Sequence, residues 1–114
     1  MTPNNYQNKV EGFMNPETIK DAKRRLTNAV LGLTGESGEC ADMLKKAEFH
    51  GKEFDKAKFQ LELGDVAFYL AEACSAIDTT LEDVLLLNVE KLSKRYPNGF
   101  NTADSIAKKD EHPN

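Results

Sequence analysis

The apolar residues Phe59, Leu63, Val66, Leu70, Ala73 and Ile77 are separated by alternating steps of four and three, a spacing that an α-helix turns into one continuous face. Equivalent stripes flank it. From Asn15-Pro16, an N-cap followed by a proline suited to the first helical position, the residues Ile19, Ala22, Leu26, Val30, Leu33, Cys40, Leu44 and Ala47 fall close to one face. Ser37 fills the gap in that stripe, and the segment stops at His50-Gly51. A further helix is expected after Thr79-Thr80, where Thr79 with Glu82, or Thr80 with Asp83, supplies a reciprocal capping pair. It carries Leu81, Leu85, Val89 and Leu92 and ends near Tyr96-Pro97. Tyr6, Val10 and Phe13 predict a short helix at the start of the chain.

No segment shows the alternation of a strand, and no repeat or low-complexity linker divides the sequence. The expected fold is therefore all-α, a helical bundle of about four to five helices. The 114 residues leave room for one core: a single helical domain over residues 1–100, followed by a polar, flexible tail over 101–114. Gly32, Gly35 and Gly38 lie inside the long helix, each costing about 1 kcal/mol relative to alanine. Their presence predicts close approach of the backbone to something.

Charge removes several functions. Asp and Glu number 19 against 15 Lys and Arg, for a net charge of −4, which argues against a nucleic-acid partner. No apolar run reaches the roughly 18–20 residues of a membrane span, and MTPNNYQNKV lacks the basic-then-apolar plan of a signal peptide. A cytoplasmic protein with no membrane partner is expected. Cys40 and Cys74, among apolar neighbours, read as reduced core residues.

The chemistry lies in two acidic pairs. Glu36 and Glu39 form an ExxE pair in the long helix, and Glu62 and Asp65 an ExxD pair in the next. Residues three apart share a helix face, and both pairs occupy the same flank, roughly 60–120° round from the centre of the apolar stripe. Antiparallel packing would bring four carboxylates to the rim of the core. Such a group repels itself unless protonated or bound to a cation, and oxygen ligands suit hard ions such as Mg²⁺ or Mn²⁺. A di-iron site would carry Glu-x-x-His motifs, and His50 and His112 stand in neither pair. The alternative for any one pair is a solvated helix face, since glutamate is an abundant helix former.

Cations accompany the acids. Asn88, Lys91 and Arg95 lie on one side of the last strong helix. Asn88 sits near the centre of its apolar stripe, where an amide needs partners; a structural amide and a ligand contact both satisfy that. Lys91 and Arg95 are favoured by the helix dipole in the last turns, as are Lys45 and Lys46 before His50-Gly51. Carboxylates holding a metal beside Lys, Arg and Asn are what a phosphate-ester or nucleotide site requires. GxxxxGK[ST] and GxGxxG are absent, so P-loop, kinase and dinucleotide-binding readings have no support. Tyr69, one turn beyond Asp65, suits either a substrate contact or a subunit interface.

Three blocks, GLTGESGECADMLKK from Gly32 to Lys46, ELGDVAFYLA from Glu62 to Ala71 and NVEKLSKRYPNGF from Asn88 to Phe100, resemble the MazG-like family of all-α nucleoside triphosphate pyrophosphohydrolases over about residues 5–100. The resemblance implies Mg²⁺-dependent hydrolysis of a nucleoside triphosphate between the α and β phosphates, in a house-cleaning role on the nucleotide pool. It implies Glu36, Glu39, Glu62 and Asp65 as metal ligands, one glutamate serving the attacking water. Lys46, Asn88, Lys91 and Arg95 become phosphate contacts, and Tyr6 and Gln7, with Tyr69, the nucleobase side. It further implies a homodimer or homotetramer. Where many members double the first glutamate of each motif, this chain has Gly35 and Leu61. The alternatives are a dUTP- or dCTP-selective diphosphatase of the same superfamily and a non-catalytic helical interaction module. In the latter, Glu36 or Glu39 would pair with Lys46 or Lys91.

Overall fold

The computed structural model describes residues 1–111. They form α1 (Pro3–Glu11), α2 (Pro16–Ile19), α3 (Ala22–Phe49), α4 (Lys56–Ala76), α5 (Leu81–Arg95) and α6 (Thr102–Ala107), with no strand among the described residues. The all-α class holds, with more helices than expected because two are only a turn or two long.

Local side chains set the boundaries. Thr2 Oγ1 accepts from the Asn5 N–H at 3.1 Å, Asn5 Oδ1 accepts from the Thr2 N–H, and Pro3 fills the first position of α1. Asn15 caps α2 by accepting from the Glu17 N–H at 2.9 Å. The helix expected to run unbroken from Pro16 is instead divided. Asp21 adopts an extended backbone and its Oδ1 accepts from the Arg24 N–H at 3.2 Å, so the side chain starts a new helix where the backbone would have continued the old one. Phe13, expected on the first helix, lies past its end and is exposed.

The contacts group the chain into two units, Met1–Leu81 and the residues from Glu82 on. In the first, α3 and α4 run antiparallel: Arg25 meets Glu72, Gly32 meets Tyr69, and Glu36 meets Glu62 and Asp65, in reverse sequence order. The buried positions are Arg25, Ala29 and Cys40 on α3 and Ala71, Glu72 and Cys74 on α4. Of these only Cys40 belongs to the expected apolar stripes, of which Val30, Leu44, Leu63 and Ile77 stay about half exposed. The interface is built from small residues and a buried ion pair, neither of which a hydrophobic stripe reports.

Arg25 Nε donates to Glu72 Oε2 at 2.9 Å, and Nη2 donates to Glu72 Oε1 at 3.2 Å and Glu11 Oε1 at 2.9 Å. One guanidinium thus ties α1, α3 and α4. The Gln7 amide completes the attachment of α1, donating to Ser75 Oγ at 2.9 Å and the Thr79 carbonyl at 3.0 Å while accepting from the Leu81 N–H at 2.7 Å. Cys40 and Cys74 are buried free thiols, as expected. Close approach occurs at one of the three glycines: a Cβ on Gly32 would overlap the Tyr69 ring, whereas Gly35 and Gly38 face open space.

In the second unit, Arg95 Nε donates to Asp110 Oδ1 at 2.6 Å and Nη2 to Asp110 Oδ2 at 3.1 Å, with Glu111 Oε1 at 3.4 Å. This ion pair joins the segment after residue 100 to α5. Asn101 caps α6 by accepting from the Asp104 N–H at 2.7 Å. Leu86, Leu87 and Val89 of α5 are exposed. Among the described residues no helix is long and apolar enough to cross a membrane.

Candidate metal centre

Glu36 lies on the face of α3 that carries Arg25, Ala29, Gly32 and Cys40, at steps of three and four, so it points where α3 meets α4. Glu62 and Asp65 rise from the opposing turn of α4. One carboxylate oxygen from each of Glu36, Glu62 and Asp65 lies within 4.8 Å of the others. Glu36 and Glu62 are half-buried, and Asp65 is exposed.

The arrangement strains against itself electrostatically. Burial, the Asp65 charge, and hydrogen bonding and charge at Glu62 push the Glu36 carboxyl above the usual glutamate range, with a further contribution from Glu39. A divalent cation reverses that balance, because each carboxylate then faces a positive charge. The donors are all oxygen, the set a hard ion prefers, and all three rise from helix interiors. The residues present therefore fit a magnesium-type ion. Burial and the charges of Glu62, Glu36, Asp65 and Glu39 push the Cys40 thiol pKa up, toward the less nucleophilic protonated form.

Glu39 stands one turn along α3 from this group and outside it. It lines, with Glu62, an adjoining groove of about 290 Å³. Lys46 closes part of the groove and pairs with Asp42 at 2.7 Å, not with Glu36 or Glu39. With Met43 and the acids Asp42, Glu53 and Asp55, the wall is completed by Lys52 and Phe54 of the α3–α4 link and Lys58 of α4. Sequence reasoning passed over Lys52, Phe54 and Lys58. The signal was three lysines, Lys52, Lys56 and Lys58, interspersed with Glu53 and Asp55, a mixture indistinguishable by pattern from a solvated connection.

Tyr6 stands beside the acid-bearing turn of α4. Its hydroxyl donates to the Gly64 carbonyl at 3.4 Å, and burial together with the Asp65 charge raises the phenol pKa, so it remains a donor. Tyr69 lies against Gly32, one turn beyond Asp65, its ring edge-on to Phe68 with centroids 5.1 Å apart. Gln7, expected beside Tyr6 on the nucleobase side, is buried, and its amide is engaged within the chain. It positions α1 instead. Asn88, Lys91 and Arg95 belong to the second unit. Asn88 and Lys91 are exposed there, so the Asn88 amide is not the buried group its stripe implied. The Arg95 guanidinium is held by Asp110 and Glu111.

A family model described as the MazG nucleotide pyrophosphohydrolase domain matches residues 24–100, a span containing all four acids. Among curated proteins, the Gene 37 protein of Mycobacterium phage L5 is 34% identical over 83 residues, covering 69% of this chain and 73% of that protein. No solved structure matches.

Proposed function

Because the chain belongs to the MazG nucleotide pyrophosphohydrolase family, we propose that it hydrolyses nucleoside triphosphates to the monophosphate and pyrophosphate with Mg²⁺, or Mn²⁺ in its place. The observation that carries this reading is the convergence of Glu36, Glu62 and Asp65 from two helices. These three hold the ion. A divalent cation there supplies charge neutralisation for the phosphate chain and acidifies water.

Glu39, outside the three-acid group and on the wall of the groove, takes the proton of the attacking water. The water oxygen bonds to the α-phosphorus, the bond from that phosphorus to the bridging oxygen breaks, and its electron pair leaves with pyrophosphate. Lys46 steadies the phosphate chain, and Asn88, Lys91 and Arg95 are further phosphate contacts in this reading. Tyr6, fixed by the attachment of α1, and Tyr69 border the nucleoside. The large apolar side chains left open on α4 (Leu61, Leu63) and on α5 (Leu86, Leu87, Val89) are covered by further copies of the chain, as a homodimer or homotetramer.

The non-catalytic alternative needs the acids tied in ion pairs, and Lys46 is paired with Asp42. A thermal-shift titration with MgCl₂ tests the reading without a substrate. Mg²⁺ raises the melting temperature of the native chain and leaves Glu62→Gln unmoved; no shift in the native chain contradicts the metal assignment.

A further inference from the structure

We infer that the groove at the α3–α4 link takes the pyrophosphate end of the substrate through Lys52 and Lys58, so that the nucleoside lies at the opposite, tyrosine end of the carboxylate row. The inference deepens the proposed function and rests on it. Its basis is the order of groups along the antiparallel pair. On α3, Gly32 under Tyr69 comes first, then Glu36, then Glu39, then Lys46. On α4 the sequence runs in reverse, with Tyr69, Asp65, Glu62 and Lys58. On α4, Tyr69 therefore lies on one side of the acids and Lys58 on the other, and Lys46 of α3 lies on the Lys58 side. Glu36 and Lys46 are ten residues apart, about 15 Å along the axis, and the Lys46 side chain leans back toward Asp42 and the acids.

The link is folded so that its lysines stay beside the groove. The His50 and Lys52 N–H groups both donate to the Lys46 carbonyl, at 3.1 and 3.2 Å, a reversal that Gly51 permits at φ +68°. Asp55 Oδ1 accepts from the Lys58 N–H at 3.1 Å, fixing the first turn of α4. The Phe54 ring, 5.2 Å from that of Phe59, fastens the link between them to α4. Among the described residues neither the Lys52 nor the Lys58 ammonium has a carboxylate within ion-pair distance, whereas Lys46 has Asp42. Both are exposed cations on the groove wall, without a direct ion-pair partner among those residues.

The same groove carries Glu39, Asp42, Glu53, Asp55 and Glu62, so a bare anion is repelled. A magnesium complex of pyrophosphate brings its own positive charge to the acids and presents its oxygens to the lysines. As the bond to the α-phosphorus breaks, negative charge grows on the departing pyrophosphate, which is where two ammonium groups on the groove wall stabilise most.

Calorimetric titration of the full chain with magnesium pyrophosphate, and separately with nucleoside monophosphates, tests the assignment. The double variant Lys52→Ala, Lys58→Ala binds pyrophosphate at least about tenfold more weakly with monophosphate affinity unchanged, and the pair Lys52→Arg, Lys58→Arg recovers most of the loss. Lys45→Ala, on the same helix but outside the groove, alters neither. Unchanged pyrophosphate binding in the double variant overturns the inference, as does a loss of monophosphate affinity in its place. In both cases turnover by the native chain leaves the proposed function standing. A native chain that neither binds pyrophosphate nor releases it from any nucleotide removes both.

Discussion

The Glu72 carboxylate, entirely buried, receives two hydrogen bonds from the Arg25 guanidinium, at 2.9 Å from Nε and 3.2 Å from Nη2. This pair holds the α3–α4 interface at the end remote from the α3–α4 link, and its third arm, to Glu11, holds α1. Removing one partner strands the other charge in the interior, at a cost of about 3–5 kcal/mol. Arg25→Met is thus expected to lower unfolding stability in urea by that amount, and Glu72→Leu added to it to recover much of the loss. Additive losses in the double variant would show that the pair is not coupled.

Glycine substitutions separate packing from propensity along α3. Gly32→Ala sets a Cβ against the Tyr69 ring and is expected to destabilise by about 1–3 kcal/mol. Gly35→Ala and Gly38→Ala face open space and gain about 0.5–1 kcal/mol each from helix propensity. Thermal unfolding of the three single variants checks the opposite signs.

Arg95 lowers the Asp110 pKa, chiefly through its hydrogen bond. A carboxylate whose folded pKa lies below its unfolded value stabilises above the ordinary aspartate range, near 3.9. That contribution is lost as pH falls from there through the depressed value. Amide exchange in α6, corrected for intrinsic rates, is expected to lose protection as pH falls through that window. Asp110→Asn is expected to show the lower protection already at pH 6 and to respond little to acid. An identical pH response in the variant contradicts the assignment.

The mass of one chain is 12.7 kDa, and sedimentation equilibrium at micromolar concentration is expected to return two or four times that value. Leu86→Lys with Leu87→Lys, at positions exposed in the single chain, shifts the distribution toward one chain. A monomeric native protein contradicts the assembly proposed above.

Helix class and the acidic residues were legible because both are periodic: steps of three and four mark α3, α4 and α5, and ExxE with ExxD marks a shared face. The α3–α4 interface was not legible. Its centre is Arg25, Ala29, Gly32 and Glu72, residues that a hydrophobic pattern either skips or assigns to solvent, and only the antiparallel register shows that Arg25 and Glu72 meet. Asp21 was read through because one capping carboxylate looks like any polar helix residue until its contact with the Arg24 N–H is seen. Gln7 had the opposite fate: the family resemblance alone gave it a ligand role, and three internal hydrogen bonds give it a structural one. Lys52 and Lys58 acquire meaning only when the link folds back against Glu39 and Glu62.

Phosphorus-31 NMR of the reaction mixture tests the central claim most directly. The purified chain is incubated with each common ribo- and deoxyribonucleoside triphosphate and Mg²⁺, with parallel samples containing chelator or Asp65→Asn. The account predicts paired resonances of monophosphate and pyrophosphate from at least one nucleotide, absent with chelator and with Asp65→Asn. A rate profile confined to deoxyuridine or deoxycytidine substrates would define a selective diphosphatase within the same chemistry. Diphosphate and inorganic phosphate in their place, or undiminished turnover by Asp65→Asn, would contradict it.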